Sequence, residues 1–96
     1  MQNTDIDLKS RPALATRVRL QNDPVDGEPV LLYPEGLMKL NTTAHEVLLR
    51  CDGRTTVASI VESLGNEYEV SAETMCADVV ECLALLRQRQ LIVFAS

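Results

Sequence analysis

Residues 31–53, LLYPEGLMKLNTTAHEVLLRCDG, predict a β-hairpin that leads directly into a capped helix. The apolar run at the start is followed by PEG at residues 34–36, where the positions of Pro and Gly favour a type I turn. Residues 37–40 then form the second strand of the hairpin. Asn41 or Thr42 precedes the next apolar stripe and has a side chain suited to capping a helix. The stretch predicts a structural framework and contains no catalytic constellation.

Three helices are predicted downstream, because apolar residues recur there every three or four positions. The first has its stripe at residues 44–51, with Gly53 as its C-terminal glycine. The second has its stripe at residues 57–64 and ends at Gly65. The third begins after Ser71, and its predicted core face consists of Ala72, Met75, Cys76, Val79, Leu83 and Leu86.

Upstream of the hairpin, residues 17–21 alternate between polar and apolar and predict a strand with Val18 and Leu20 facing inward. Residues 22–29, NDPVDGEP, are rich in turn formers and predict a loop. The apolar residues 91–94 either pack on the domain or pair as a final strand. Neither a short sheet nor a short helix bundle is stable alone. The expected fold class is therefore α+β, with a three-stranded antiparallel sheet packed on three helices.

The composition indicates one small domain with an aliphatic core. The chain has 96 residues, a formal net charge of −5 and three aromatic residues. An acidic chain lacks the basic surface that nucleic-acid-binding proteins use, and scarce aromatics leave no platform for stacking bases. No segment resembles a signal peptide or approaches the length of a membrane span. We expect residues 1–10 to be a flexible N-terminal tail and residues 11–96 to be the domain, with no nucleic-acid or membrane partner.

No group of side chains is arranged for catalysis or metal binding. Cys51, Cys76 and Cys82 lack CxxC spacing, and their apolar surroundings predict buried small hydrophobic residues. His45 is the only histidine, and no cysteine or carboxylate stands at ligand spacing from it. A cysteine nucleophile would need a base, and His45 is the only candidate. We therefore expect no catalytic residue, no cofactor and no metal.

Four segments, in their order and spacing, resemble the pyrroloquinoline quinone (PQQ) biosynthesis protein D family. They are LLYPEG at 31–36, LN-x-TA at 40–44, CDG at 51–53 and TV-x-x-I at 56–60. The resemblance covers roughly residues 11–92. It implies a winged-helix-like fold, a cytoplasmic location and a non-catalytic, peptide-binding function. One position departs from the family pattern, which has a Gly before the last apolar residues where this chain has Arg89 and Gln90.

The resemblance also implies partners. Such proteins recognise the leader of a ribosomally made precursor peptide and present it to a radical S-adenosylmethionine (SAM) enzyme, which cross-links a Glu and a Tyr of the peptide. A DNA-binding winged helix and a purely structural subunit stay open as alternatives. Direct binding of the quinone is a third, although no aromatic slot or basic cluster is visible for it. DNA binding is disfavoured because the exposed side of the third helix carries Glu73, Asp78 and Glu81.

The third predicted strand, residues 37–40, is the expected site of peptide binding by strand addition. In a meander this strand lies at an edge, where its free N–H and C=O groups can pair with another chain. Alternation places Met38 and Leu40 on the core face and Leu37 and Lys39 on the other. The third helix or the C-terminal tail could instead cover this edge. A second copy could also pair there, and an exposed edge permits a homodimer by strand exchange.

One face of the third helix supplies the remaining predicted contacts. At 100° per residue, Leu85 falls away from the core stripe. It either lines a groove for the peptide or packs on residues 91–94. For the groove that the family implies, the apolar contacts are expected from Leu37, Ala77, Ala84 and Leu85. The charge preference is expected from Lys39, Asp78 and Glu81.

Overall fold

The computed structural model describes residues 6–95, which form five strands and three helices. In chain order these are β1 (Arg11–Leu14), β2 (Arg19–Asn22), β3 (Pro29–Tyr33), β4 (Gly36–Lys39), α1 (Thr42–Leu49), α2 (Val57–Tyr68), α3 (Ala72–Gln88) and β5 (Ile92–Ala95). Residues 1–5 of the predicted tail lie outside the described residues, and the boundary expected at residue 11 stays a prediction.

Strands β2, β3 and β4 form the predicted three-stranded antiparallel sheet, in that order. Leu31 of the central strand lies opposite Leu20 on one side and Met38 on the other, and its side chain is fully buried. Tyr33 pairs with Gly36 across the two-residue turn. Gly36 has a φ of 153°, a backbone conformation that disfavours a side chain. The hairpin therefore forms where the sequence predicts it.

The first strand of this sheet begins two residues later than predicted. Arg17 has a φ of 71°, and the N–H of Val18 donates to the C=O of Ala15 at 3.1 Å, so this part of the chain is a turn. Val18 is nevertheless buried, and Leu20 packs half-buried against the core. The predicted inward face is confirmed.

A second sheet pairs β1 with β5 in antiparallel register. The C-terminal tail thus pairs as a strand, which was one of its two expected roles. The sequence does not predict β1, because Pro12 argues against a strand. The N–H of Ala15 donates to the C=O of Leu91 at 2.9 Å. By alternation, Pro12 then lies at a position that makes no hydrogen bond to β5, so its missing N–H removes no bond from the ladder.

Each helix begins at a side-chain cap. Asn41 caps α1, Thr56 caps α2 and Ser71 caps α3, each by accepting a hydrogen bond from the backbone N–H three residues later. These caps satisfy N–H groups that have no partner within the helix. The sequence therefore places the three helix starts correctly.

Two predicted helix ends are wrong. Helix α1 ends at Leu49, so Gly53 lies beyond its terminus and donates its N–H to a backbone C=O of β1. Helix α2 continues through Gly65 to Tyr68. Gly65 is buried, and a Cβ there would make ordinary contacts, 3.4 Å from the C=O oxygen of Val70 and 3.8 Å from the Cβ of Met75. Gly65 therefore lies within α2 and does not terminate it.

The core is aliphatic and joins both sheets to the three helices, which confirms the α+β fold class. Its fully buried large side chains include Leu31 of the sheet, Val47 of α1, Ile60 and Leu64 of α2, and Leu83 of α3. Met38 and Leu40 pack against this core from one face of the edge strand, while Leu37 is 50% exposed on the other. The predicted faces of residues 37–40 are therefore confirmed.

Helix α3 ends in a Schellman motif that has glutamine where glycine is preferred. The N–H of Gln90 donates to the C=O of Arg87 and the N–H of Leu91 to that of Leu86, both at 2.9 Å. Leu86 and Leu91 are buried, as the motif requires. Gln90 has a φ of 63°. The turn keeps the geometry of a glycine terminus although the glycine that the resemblance implies is absent.

We predict that Gln90→Gly stabilises the protein by about 0.5–1 kcal/mol, because glycine adopts positive φ without the steric cost of a side chain. Gln88→Gly is the matched control within the helix and should destabilise by about 0.5–1 kcal/mol. Urea unfolding of both variants measures the difference. A destabilised Gln90→Gly protein would contradict the assigned turn geometry.

We predict that Leu40→Ala lowers the free energy of unfolding by about 2 kcal/mol, since its side chain packs on the core. Leu37→Ala, three residues earlier and on the opposite face of the strand, should change it by less than about 0.5 kcal/mol. Thermal or urea unfolding distinguishes the two variants. Equal destabilisation would show that the faces of the strand are assigned incorrectly.

Candidate functional site

Strand β4 is an edge of the three-stranded sheet. It pairs with β3 on one side, and no strand within residues 6–95 pairs with its other side. The C-terminal tail, one of the elements expected as a cover, pairs with β1 instead. The edge is therefore open to pairing within the part of the chain that the structure describes.

The register identifies which backbone groups of β4 point outward. The N–H of Leu40 donates to the C=O of Pro29 at 3.3 Å, so Leu40 points its backbone groups toward β3. Hydrogen-bonded positions alternate along an antiparallel pair, so Met38 does the same. Leu37 and Lys39 then direct two N–H and two C=O groups away from the sheet. These are the groups that an added strand would bond.

The side chain of Lys39 is tied to the loop between β2 and β3. Its Nζ lies 2.6 Å from Oδ2 of Asp26 and 3.2 Å from Oδ2 of Asp23. The hydrogen bond to Asp26 raises the pKa of Lys39, and the same bond lowers the pKa of Asp26. Lys39 is exposed but points to the β2–β3 loop, so the two aspartates partly neutralise its charge before any partner binds.

A groove lies between the N-terminal turn of α1 and one face of α3, and we call it the α1–α3 groove. Its volume is about 590 Å³. Four of the nine predicted site residues line it: Asp78, Glu81, Ala84 and Leu85. Leu85 is 49% exposed and lines this groove, and its contact with a peptide stays a prediction. The groove begins at Asn41, directly after the β4 segment.

Ala77 is the predicted helix residue that does not line the α1–α3 groove. It lies in a second groove on α3, together with Glu81 and Ala84, which border both. The sequence missed the other residues of the α1–α3 groove: Asn41, Thr43, Ala44, Cys82 and Gln88. Helical phase could have found Gln88, seven residues after Glu81. The groove residues that α1 supplies depend on how α1 is oriented relative to α3, and no local sequence pattern predicts that orientation.

An ion-pair network fixes α1 relative to α2. Arg50 follows α1 and contacts Oε1 of Glu46 at 2.8 Å and Oε1 of Glu67 at 3.1 Å. Its Nε also donates to Oγ of Ser63 at 3.2 Å. These contacts link the end of α1 to α2, and the N-terminal turn of α1 can then serve as a fixed wall of the groove.

The α1–α3 groove carries negative charge. Asp78 and Glu81 are exposed, and neither takes part in an ion pair among the described residues. Cys82 is the half-buried thiol of the groove, and burial, followed by the charge of Glu81, raises its pKa to about 11. Burial raises the pKa of the neutral Cys51 thiol to about 12. Both thiols stay protonated at neutral pH and are weak nucleophiles.

Residues 6–95 contain no group of three His, Cys, Asp or Glu side chains that could hold a metal ion. Over the same residues, no helix combines the length and apolar character needed to cross a membrane. The features that distinguish the surface are thus the open edge and the grooves beside α3.

Comparison with known families gives a consistent result. The family model for Coenzyme PQQ synthesis protein D (PqqD) matches residues 28–92. A protein of Xanthomonas oryzae pv. oryzae (strain KACC10331 / KXO85), named PqqA binding protein, is 40% identical over 83 residues, which cover 86% of this chain and 90% of the relative. A protein of the same name from Xanthomonas axonopodis pv. citri (strain 306) matches with the same identity and coverage.

Two solved structures resemble this fold. One is the solution NMR structure of the PqqD truncation of Methylobacterium extorquens PqqCD, described as a functional, stand-alone recognition element for ribosomally synthesized and post-translationally modified peptides. It is 35% identical, covers 97% of this chain and 99% of that chain, and has a TM-score of 0.79. The other, the crystal structure of PqqD from Xanthomonas campestris, is 37% identical, covers 90% and 96%, and has a TM-score of 0.57.

Proposed function

Since the chain belongs to the PqqD family, we propose that it binds PqqA, the ribosomally made precursor peptide of PQQ biosynthesis. The observation that carries the proposal is the open β4 edge beside the α1–α3 groove. A titration of the labelled protein with PqqA, followed by NMR, tests it. Amide shifts should concentrate at residues 37–40 and along the groove-facing side of α3.

The peptide adds as a strand to β4. The groove starts at Asn41, immediately after this strand, which favours the β4 edge over the other edge of the sheet at β2. The outward groups of Leu37 and Lys39 provide four hydrogen bonds, which at about 1 kcal/mol net each contribute roughly 4 kcal/mol. A micromolar complex needs about 8 kcal/mol. Side chains of the peptide must supply the remainder in the groove.

The groove selects side chains by apolar contact and charge. Leu85 and Ala84 offer apolar surface, while Asp78 and Glu81 favour a basic side chain in the peptide. Leu37 supplies a further apolar contact above the edge. Lys39 contributes mainly through its backbone, because its ammonium group is held by the loop. Ala77 is the weakest member of the predicted set, since it faces the second groove.

The chain acts without catalysing a reaction and presents the peptide to a radical SAM enzyme. Its relatives are named for binding and recognition, and its two shifted thiols are protonated at neutral pH. A peptide held by its backbone at an edge keeps its distal segment free for a second protein. Incubation of PqqA with this protein and S-adenosylmethionine alone should leave the peptide mass unchanged.

We predict that Leu37→Pro weakens PqqA binding about tenfold beyond the effect of Leu37→Ala, because it removes an outward N–H and disturbs the added strand. The fold should survive, since that N–H makes no bond to β3. Met38→Pro is the matched control, which removes an inward N–H and should destabilise the sheet by about 3 kcal/mol. Calorimetric titration and thermal unfolding measure the two effects. Equal PqqA affinity of Leu37→Pro and Leu37→Ala would exclude strand addition at this edge.

We predict that Leu85→Ala raises the Kd for PqqA about fivefold, which corresponds to roughly 1 kcal/mol of lost apolar contact. Its melting temperature should change little, because half of the side chain is exposed. Leu49→Ala is the matched control, since Leu49 is similarly exposed but lies outside the groove. If both variants bind PqqA like the parent protein, the peptide does not use this face of α3.

A further inference from the structure

A second groove lies on the adjacent face of α3, and we call it the N-terminal groove. Its volume is about 740 Å³. Four side chains of α3 form an apolar floor over about two helical turns: Cys76, Ala77, Val80 and Ala84. Ile6 and Leu8 form the facing wall, and Leu8 is 43% exposed. Neither the open edge nor strand addition accounts for this surface.

The wall of the N-terminal groove is held in place by backbone hydrogen bonds. The C=O groups of Leu8 and Ser10 accept from the N–H groups of Ala58 and Val57, at 2.9 and 3.0 Å. These donors belong to the first turn of α2, where N–H groups lack helical partners. The N–H of Ser10 also donates to the C=O of Asp7 at 3.0 Å. The Leu8 side of the wall is therefore formed before a partner arrives.

The rim of the groove is acidic. Glu73 and Glu81 lie on α3, eight residues and roughly 12 Å apart. Both are exposed, and neither forms an ion pair within the described part of the chain. An apolar floor between two unmatched carboxylates complements an apolar surface that carries two basic residues at the same separation.

The floor also determines the backbone conformation of its partner. The backbone N–H and C=O groups beneath these side chains are bonded within α3, so this surface offers no strand edge to complete. An occupant must satisfy its own backbone hydrogen bonds, as a helix does. Basic residues seven or eight positions apart on a helix have the required separation.

We propose that the N-terminal groove docks an amphipathic helix of the processing enzyme, with an apolar face flanked by two basic residues about two turns apart. The inference rests on the proposed function, because it assigns the surface through which the peptide-bound protein meets that enzyme. The two grooves share Glu81 and Ala84. The docked helix therefore lies beside the bound peptide, with only one ridge of α3 between them.

Glu73→Lys and Leu8→Ser test the proposal, since both residues line the N-terminal groove and neither lines the α1–α3 groove. The full-length variants are titrated separately with the radical SAM enzyme of the pathway and with PqqA. Each should weaken enzyme docking at least tenfold and change the Kd for PqqA less than twofold. Glu62→Lys, an exposed charge reversal on α2, is the matched control and should leave both affinities unchanged.

Four results would overturn the proposal. The first two are enzyme docking that both variants leave intact and PqqA affinity that falls in parallel with docking. The others are a parent protein that binds PqqA but not the enzyme, and a variant whose oligomeric state differs from that of the parent protein in sedimentation. The last would indicate that the groove joins two copies of this chain. A parent protein that docks the enzyme through Glu73 and Leu8 but does not bind PqqA would instead refute the proposed function and support the groove assignment.

Discussion

The burial of one aliphatic stripe of α3 determines the geometry of both grooves. Met75, Val79, Leu83 and Leu86 are at most 4% exposed and pack among α1, α2 and β5. Each large buried aliphatic side chain contributes about 1.5–3 kcal/mol. A rotation of the helix by one residue would expose this stripe and bury carboxylates such as Asp78, at a much larger cost. The helix therefore has one rotational setting, and the side chains of both grooves follow from it.

Register gives β4 a similarly fixed arrangement. Slipping this strand by one residue would turn Met38 and Leu40 to solvent and Lys39 toward the core. The slip would also exchange the inward and outward N–H groups. The observed register therefore buries the core face of β4 and at the same time leaves the backbone N–H and C=O groups of Leu37 free to bond another strand. The contacts of Lys39 with Asp23 and Asp26 form only in the observed register. The side-chain pattern that stabilises the fold thus also selects the backbone groups available to a peptide.

Local patterns predicted most of the fold and about half of the groove. The helix caps, the hairpin and the exposure of Leu85 depend on residues close in sequence, and the structure bears them out. The β1–β5 pairing joins the two ends of the described chain, and a proline within β1 conceals it. Gly65 is a residue type typical of helix ends, but α2 continues through it to Tyr68. Thr43 and Ala44 line the α1–α3 groove because of the orientation of α1, and the periodicity of apolar residues in the sequence does not predict that orientation.

The shared ridge between the grooves couples the two proposed binding events. Glu81 borders both, and two basic side chains that share its carboxylate, one from each partner, repel each other. At an exposed site such a charge contact contributes up to about 1 kcal/mol, which limits the coupling to roughly fivefold in affinity. The binding free energies must be coupled reciprocally, so a docked helix that takes the carboxylate loosens the peptide by the same factor that the peptide loosens the helix. The backbone bonds of Leu37 and Lys39 are independent of that charge. A peptide could therefore keep its register on β4 while its side chains are released toward the enzyme.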